Sequence, residues 1–553
     1  MSWASVRTSA RSLLPARADY AHVRRTWRGD LLAGVTVGIV ALPLALGFGV
    51  SSGLSAEAGL TTAVVAGFLA AVFGGSHVQV SGPTGAMVVV LVPIVATHGV
   101  GTVAVVSLLA GIVVMLAGAL RLGRAVSFIP WPVIEGFTLG IGVIIFAQQI
   151  PALVSGHTPA ASEHSSNALV AAVQSFTGLD PAYLLWALGA VVIVAVCMLL
   201  APRVHRALPG SLIGIVVVAL LTLLLPAPLT RIGALPASLP APSFPLLDVG
   251  TLGALAAPAL TVAALAAIES LLSARVATTL SDTGPFDPDR ELVGQGIASI
   301  GSALFGGMPA TGAIARTAVN VRSGGRSRLA AIVHALVLLA VVLVVSGPVG
   351  AIPLAALAGV LMVTAARMVH VGTVRAVLRS TRADAVAFIA TAVITVSFDL
   401  IVAVGIGVVF AGIVALRGLA RASVVRREPL AGAAQPGDER IAVLCIEGPL
   451  FFAGADRVRA EVDAVADVDV VVLRMSRVEL VDATGARTLG EIVQSLERRG
   501  VTVLIKGIQL RHEDLFRTVG VLAALRHHKH LFDDLPAAIT HARSHVRRQT
   551  ATA

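Results

Sequence analysis

Two short stretches of glycine and proline inside long apolar runs decide the fold: residues 305–316, FGGMPATGAIAR, and residues 73–86, FGGSHVQVSGPTGA. Both begin Phe-Gly-Gly, and both continue through a proline to Thr-Gly-Ala. Glycine and proline interrupt regular helices, so each stretch predicts extended chain that turns into a short helix. The recurrence of this pattern far along the chain indicates two related halves.

The composition around these stretches is typical of an integral membrane protein. Of the 553 residues, 56% are hydrophobic and 13% are charged, whereas a soluble domain has about 25% charged residues. Mean hydropathy is +0.89. Apolar runs follow one another from about residue 31 to 418, and many approach the ~20 residues that a helix needs to cross a bilayer. We therefore expect a multi-pass protein embedded in lipid.

Fourteen apolar segments can be counted, seven in each half. They lie near residues 31–50, 57–73, 84–97, 101–120, 132–150, 182–200 and 210–226, and near 252–273, 291–305, 311–320, 329–347, 352–366, 383–398 and 400–416. Segments 3 and 10 are too short to span a bilayer, and each includes the end of a Gly/Pro stretch. Because each half has an odd number of segments, the second half has the opposite orientation in the membrane to the first. Corresponding short segments are the best sequence indication of a transporter's binding site.

The arginines predict the orientation of these segments. The net charge is +10, and much of it lies at the ends of apolar segments. With a cytoplasmic N-terminus, nearly all arginines outside the spans fall in loops on the cytoplasmic side, as the positive-inside rule requires. We therefore expect a plasma membrane protein with both termini in the cytoplasm, and no nucleic acid partner.

The pattern changes after the last apolar segment. IAVLCIEG, VDVVVLRM and VTVLIKG are β-branched strands, and VDATGARTLGEIVQSLERRG between the last two has helical periodicity. This alternation predicts a small α/β domain. The predicted regions are a basic N-terminus (1–30), a transmembrane domain (31–418, with repeats at about 31–226 and 252–418), a linker (419–438), the α/β domain (439–545) and a tail (546–553).

The two interrupted segments predict an anion site in the middle of the membrane. In GPTGA (residues 82–86) and PATGA (residues 309–313, which include Thr311) the extended chain should turn into a half-helix. The first amide groups of a helix have no partners and lie at the positive end of its dipole. Two such ends that face each other can bind an anion, and in a membrane they require a wet cavity or protein around them.

Two charged residues inside the apolar segments are candidates for function. Arg316, one turn into segment 10, is costly in lipid unless it faces a cavity or a partner. Its guanidinium can supply charge to an oxyanion, and a snorkelling arginine is the alternative. Glu269 lies deep in segment 8, where a carboxyl group can bind a proton or help bind a cation. A structural ion pair with Arg316 or Arg275 is the alternative for Glu269.

Nothing in the sequence indicates an enzyme, a cofactor or a metal site. We find no nucleophile–base pair, no P-loop and no cluster with metal-ligand spacing. Cys197 and Cys445 lie far apart in different regions, which argues against a disulfide framework or a cysteine metal site. The run His527-His528-Lys529-His530 is interpreted as a solvated basic stretch.

These residues resemble the sulfate permease (SulP) family of anion transporters. The resemblance is carried by VALPLALGFGVSSGL, VSGPTGAM, PVIEGFTLGIGV, AAIESLL and GGMPATGAIARTAVNVRSGGRSR. The run VVVLRMSRVELVDATGARTLGEI is similar to the STAS domain that these proteins carry at the C-terminus. The resemblance covers about residues 28–545. It implies two inverted repeats, a core domain of segments 1–4 and 8–11, a gate domain of segments 5–7 and 12–14, an elevator-like movement and often a homodimer.

The resemblance also implies which residues bind the anion. These are the backbone amides of Thr84, Gly85 and Ala86 in segment 3 and of Ala313, Ile314, Ala315 and Arg316 in segment 10. Segment 1 would close the pocket through Leu44 and Phe48. Many relatives have glutamine where this chain has Leu44, which makes the pocket less polar here. Glu269 matches the acidic residue that relatives use for proton or sodium coupling, and a glutamate there favours protons over sodium.

Three functions are therefore considered. The first is a proton-coupled secondary transporter of sulfate, bicarbonate or a dicarboxylate. The second is a sodium-dependent bicarbonate symporter. The third is a membrane-anchored sensor or scaffold that presents its STAS domain to a cytoplasmic protein partner without transport. Related STAS regulators carry a phosphorylated serine where this chain has Ala483, so that switch is expected to be absent.

Overall fold

The computed structural model describes residues 13–21, 23–124, 130–154, 167–205, 208–245, 249–397, 400–430 and 433–552. They form two compact units, which divide between Val408 and Val409. The first unit is helical, and the second begins within the last helix of the apolar region and is otherwise mixed α/β. The first 12 residues of the predicted basic N-terminus, with Arg7 and Arg11, and two residues of the predicted linker lie outside the described residues.

The first half of the helical unit contains nine α-helices and one very short strand in its described part. They are α1 (Val23–Ser51), α2 (Ala56–Phe73), β1 (Ser81–Gly82), α3 (Gly85–His98), α4 (Thr102–Ala119), α5 (Trp131–Gln148), α6 (Ile150–Val154), α7 (Ala168–Gln174), α8 (Pro181–Val204) and α9 (Gly210–Leu224). All seven segments predicted for this half are helical, and segment 3 corresponds to α3.

The second half repeats the order of the first. It contains α10 (Val249–Leu280), α11 (Pro288–Leu304), β2 (Thr311–Gly312), α12 (Ile314–Arg322), α13 (Arg328–Gly350), α14 (Leu354–Met368), α15 (Val371–Leu378), α16 (Arg382–Ser397) and α17 (Leu400–Ala422). In both halves a two-residue strand precedes a short third helix. The predicted membrane fold of two related halves is confirmed, and eight helices in the described ranges are long and apolar enough to span a bilayer.

The helix ends differ from the predicted segment ends. Helix α1 begins at Val23, and α10 continues to Leu280, beyond the predicted limits of residues 31 and 273. The added turns contain charged residues such as Arg24 and Arg275. Hydropathy marks the part of a helix that suits lipid, whereas backbone hydrogen bonds continue into the polar flanks.

Helices from the two halves interleave into two groups. In the first group α4 packs on α10 and α11, α1 packs on α13, and α2 packs on α11 and α13. In the second group α5 packs on α14 and α16, and α8 packs on α9 and α14. These groups agree with the predicted core and gate domains for the helices of the first unit.

Small residues allow the helices of the first group to approach closely. A Cβ atom added at Gly111 of α4 would lie 2.8 Å from the carbonyl oxygen of Gly296 in α11, and one added at Gly296 would lie 2.6 Å from that of Gly111. In lipid no hydrophobic force drives helices together, so close backbone packing supplies much of the association energy. The Gly111–Gly296 contact therefore holds the two halves together.

A buried carboxyl group fixes the start of the first interrupted stretch. Glu291 of α11 accepts hydrogen bonds at Oε2 from the amides of Gly75 (2.8 Å) and Ser76 (3.1 Å). Gln295 Nε2 lies within hydrogen-bond distance of both Glu291 Oε1 (2.9 Å) and Ser81 Oγ (2.6 Å). The extended chain before α3 is thus attached to a helix of the other half.

The second unit contains a five-stranded sheet in the order β3-β4-β5-β6-β7. Its elements are β3 (Val424–Glu428), β4 (Ile441–Leu450), α18 (Ala455–Asp463), β5 (Val470–Val481), α19 (Ala483–Arg498), β6 (Thr502–Lys506), α20 (Leu510–Val519), β7 (Leu531–Phe532) and α21 (Leu535–Thr552). Strands β4 to β7 are parallel, and β3 pairs antiparallel with β4. Apolar clusters cover both faces of the sheet, with α18 to α20 on one and α21 on the other.

Strand β3 lies inside the segment that the sequence assigned to the linker. Its sequence, VVRRE, has few apolar residues, and an edge strand pairs on one side only, so local pattern does not reveal it. Helix α19 begins as expected, because the Asp482 carboxylate accepts a hydrogen bond from the amide of Gly485 at 2.7 Å. This is a side-chain N-cap.

We expect Gly111→Leu to destabilise the helical unit by about 1–3 kcal/mol, because the added side chain overpacks the α4–α11 contact. The matched control is Gly189→Leu in α8, where an added Cβ meets nothing within 4 Å. The measurement is reversible unfolding of the full-length protein in mixed micelles. Equal losses of unfolding free energy in the two variants would contradict this account of the packing.

Candidate functional site

The two interrupted stretches meet as an antiparallel pair inside the helical unit. Ser81 pairs with Gly312, and Gly82 pairs with Thr311. The amide of Ala313 donates to the carbonyl oxygen of Val80 at 2.8 Å, which extends the pairing by one bond. Since α3 and α12 begin within three residues of these strands, the pairing brings the N-termini of both half-helices to one place.

Both half-helices begin without a hydrogen bond from the side chain of their own N-cap residue. Thr84 precedes α3 in extended conformation (φ −130°, ψ 160°), and Ala313 precedes α12 (φ −97°, ψ 106°). The amides of their first turns keep their donor capacity and lie at the positive ends of two helix dipoles. The predicted site residues Gly85, Ala86, Ile314 and Ala315 lie in these turns, and Thr84 and Ala313 are the N-cap residues before them. The Ala313 amide, which was predicted to bind the anion, is already occupied by its hydrogen bond to Val80.

Phe48 of α1 lies beside the start of α3. A Cβ atom added at Gly85 would lie 3.3 Å from Phe48 Cε1 and 2.2 Å from Ile145 Cδ1 of α5. Phe48 and Leu44 are both buried. The first turn of α3 therefore has an apolar wall, and only glycine at position 85 allows these side chains to come so near.

Glu269 joins both interrupted stretches to α10. Its Oε2 accepts hydrogen bonds from Thr84 Oγ1 at 2.9 Å and from Thr311 Oγ1 at 2.8 Å. The next residue, Ser270, accepts a hydrogen bond at Oγ from the amide of Gly312 at 3.1 Å. One carboxyl group thus contacts the threonine of each Thr-Gly-Ala motif, a convergence that the sequence did not reveal.

Arg316 is buried against the opposite half of the helical unit. Its Nη2 donates to the carbonyl oxygen of Pro83, and Nη1 is buried without a hydrogen-bond partner among the described residues. A Cβ atom added at Gly82, where φ is +150°, would lie 2.8 Å from Nη1. The side chain is 2% exposed, which excludes the snorkelling alternative for this arginine.

Glu269 and Arg316 share this region without a direct bond. Among the described residues, no ion pair within 4.0 Å joins them, because Glu269 contacts the threonines and Arg316 contacts Pro83. The ion-pair alternative with Arg316 is therefore wrong for this conformation. A buried cation with a free donor, beside two helix N-termini, attracts an oxyanion.

Two polar residues that the sequence reasoning missed attach the chain ahead of β1 to α12, and a third, His334, is buried in α13. Thr317 Oγ1 accepts from the amide of Val80 at 3.0 Å, and Asn320 Nδ2 donates to the carbonyl oxygen of Val78 at 2.7 Å. His334 of α13 is fully buried, and neither ring nitrogen has a hydrogen-bond partner among the described residues. His334 could have been noticed in the sequence, because it is a lone histidine in the apolar run of segment 11.

Known protein families match most of the chain. The Sulfate permease family matches residues 27–391, and the STAS domain matches residues 433–538. YvdB of Bacillus subtilis (strain 168) is 34% identical over 512 residues, which are 91% of this chain and 96% of that protein. Bicarbonate transporter BicA of Picosynechococcus sp. is 30% identical over 523 residues, 87% of this chain and 89% of that protein.

Solved structures share the architecture. The murine Solute Carrier 26 family member A9 anion transporter, in the inward-facing state, superposes with a TM-score of 0.82 over 97% of this chain and 95% of that chain, at 18% identity. At this identity the likeness establishes the fold alone. The transmembrane domain of a cyanobacterium bicarbonate transporter BicA is 33% identical and superposes with a TM-score of 0.62 over 69% of this chain and 98% of that chain.

We expect Thr311→Val to lower the free energy of unfolding by about 1–3 kcal/mol, because it removes a hydrogen bond to a partly buried carboxyl group while keeping the side-chain shape. The control is Thr261→Val, an exposed position in α10 where the hydroxyl donates only to Ala257 of its own helix. That control should change stability by less than about 0.5 kcal/mol. Unfolding in mixed micelles measures both variants, and a loss no larger at Thr311 would contradict the assigned contact.

Proposed function

This chain belongs to the sulfate permease family, and on that premise we propose that it is a secondary active transporter that holds its anion between the N-termini of α3 and α12. The family consists of anion transporters rather than enzymes, and the chain is a multi-pass membrane protein. One observation carries the proposal: the β1–β2 pair brings two uncapped helix N-termini together with a buried arginine.

The anion would replace the partners that the site lacks. The first amides of each half-helix would donate to its oxygens, and Arg316 Nη1 would add a charge-assisted hydrogen bond. Helix dipoles and a guanidinium in a water-poor interior stabilise negative charge more than the same groups do in water. Phe48 and Leu44 would form the apolar wall that separates the anion from the rest of the membrane domain.

The cargo is proposed to be a small oxyanion: sulfate, bicarbonate or a dicarboxylate. The family description supports sulfate, and the name of BicA supports bicarbonate. All three carry oxygen atoms in a planar or tetrahedral group, and helix amides can donate hydrogen bonds to these oxygens. Leu44 brings no hydrogen-bonding group to the pocket, so backbone amides and Arg316 would supply most of the polar contacts.

Glu269 is proposed to couple anion transport to protons. Among the described residues, Glu269 accepts both of its hydrogen bonds at Oε2. Its Oε1 is therefore the atom that would bind a proton. A carboxylate near the site repels an anion, so protonation would favour anion binding. By linkage, anion binding would then favour protonation to the same extent. The sodium-dependent bicarbonate symporter remains a second candidate, because a carboxylate can also help to bind a sodium ion.

Movement of the site across the membrane is proposed to follow an elevator-like path. Both interrupted stretches, Glu269 and Phe48 belong to the group formed by α1–α4 and α10–α13. That group could carry the anion as one body past α5–α9 and α14–α16. We also propose that the protein lies in the plasma membrane with both termini in the cytoplasm, and that it forms a homodimer.

The first test is uptake of labelled sulfate, bicarbonate and fumarate into proteoliposomes. We expect Arg316→Ala to weaken the apparent affinity for the transported anion by about tenfold or more, because a charge-assisted hydrogen bond contributes about 1.5–3 kcal/mol. Arg322→Ala is the control, since Arg322 lies exposed at the end of the same half-helix. Unchanged uptake in Arg316→Ala would contradict the proposed site.

A second outcome of this test separates transport from the sensor or scaffold function. If folded, correctly inserted wild-type protein takes up none of these anions, the transporter proposal fails for this cargo class. If the Arg316→Ala variant loses uptake but its STAS domain still binds a protein partner as the wild type does, the result would support transport.

We expect Glu269→Gln to keep anion uptake at equal pH on both sides but to lose its stimulation by an acidic outside medium. Glutamine resembles the protonated glutamate and can still accept hydrogen bonds from Thr84 and Thr311. Glu135→Gln in α5 is the control, because Glu135 accepts a hydrogen bond from Trp131 within its own helix. Stimulation that persists in Glu269→Gln would contradict the coupling role, and sodium-dependent wild-type uptake would favour the bicarbonate symporter.

A further inference from the structure

Three histidines from separate parts of the second unit lie together. His530 comes directly before β7, and His541 and His545 are one turn apart in α21. His530 is 4% exposed, whereas His528 and Lys529 are exposed. The sequence reading of residues 527–530 as a solvated basic stretch is therefore wrong for His530, because α21 packs over it.

The positions of the ring nitrogens suit a metal ion. One ligand atom from each of His530, His541 and His545 can be chosen so that all three lie within 4.8 Å of one another. His541 Nε2 and His545 Nε2 are 3.2 Å apart. Zinc–nitrogen bonds of 2.0–2.1 Å at a tetrahedral angle place two ligand nitrogens about 3.3–3.4 Å apart. This pair already has the required spacing.

His530 supplies a third ligand with no competing partner. Its Nδ1 is buried and has no hydrogen-bond partner in the part of the chain that the structure describes. The ring centroid of His530 lies 5.6 Å from that of His541 and 5.3 Å from that of His545. Burying an unpaired nitrogen costs free energy, and a metal bond would recover it.

We propose that His530, His541 and His545 form a binding site for a divalent transition metal ion of the zinc type, with water as the fourth ligand. Imidazole nitrogens suit zinc, copper and nickel, whereas calcium and magnesium prefer oxygen ligands. Because Arg526, Lys529 and Arg548 add positive charge nearby, the affinity comes from the imidazole bonds rather than from the electrostatic field.

The ion would connect two parts of the second unit. His541 and His545 belong to α21, which covers one face of the sheet, and His530 lies at the start of the edge strand β7. Strand β7 is two residues long and pairs only with β6. A metal bond across this edge would hold α21 and β7 together and stabilise the unit while the ion is bound.

The test is a calorimetric titration of the full-length protein in detergent with Zn²⁺ alone, after purification by a tag without histidines and treatment with a chelator. We expect saturable binding of a single Zn²⁺ per chain. His541→Gln and His545→Gln should each weaken that binding by at least about tenfold, because even the loss of a group that only orients a ligand costs 10–100-fold. His528→Gln, the exposed control in the same segment, should leave it unchanged.

A second readout covers variants that fold poorly. Cobalt bound at a site of three imidazoles and water gives visible absorption, which reports ligand geometry directly for the folded fraction. No saturable Zn²⁺ binding, or binding equally affected by His528→Gln, would overturn the proposal. Binding that survives both His541→Gln and His545→Gln would do the same. Anion uptake is a separate assay, so this proposal and the transporter proposal can fail independently.

Discussion

The antiparallel pair between Ser81–Gly82 and Thr311–Gly312 is the interaction on which the helical unit depends. Extended backbone inside a membrane must find hydrogen-bond partners within the protein. Each interrupted stretch supplies hydrogen-bond partners to the other, so the conformation of each half depends on the other. The helices of the two halves therefore interleave, with α4 on α11 and α1 on α13, around the paired strands.

Charged groups are distributed over this pair so that each one contacts the opposite half. Arg316 follows β2 and donates to Pro83 beyond β1, while Glu291 of α11 accepts from the amides of Gly75 and Ser76 ahead of β1. Glu269 accepts from both threonines. The removal of any one would leave buried polar groups without partners, which costs more than an ordinary hydrogen bond contributes. The geometry of the site is therefore set by contacts that cross between the halves.

The second unit is stabilised mainly by apolar packing against its sheet. Its parallel strands are buried on both faces, and two apolar clusters provide the stabilisation that close glycine packing supplies in the helical unit. Its edge strands are β3 on one side and the two-residue β7 on the other. The histidines beside β7 lie at the edge where the sheet pairing is shortest, over two residues.

The amino-acid pattern alone predicted the membrane class, the fourteen segments, the two half-helices and the α/β domain, because hydropathy and periodicity are carried by neighbouring residues. It also indicated Arg316 and Glu269, since a charge inside an apolar run is unusual. The folded chain was needed to show that Arg316 contacts Pro83, that Glu269 contacts both Thr84 and Thr311, and that His530 lies against α21. The sequence pattern likewise did not reveal strand β3, which lies in the predicted linker. Each of these features depends on residues that are far apart in the chain and become neighbours only when the helices and strands pack.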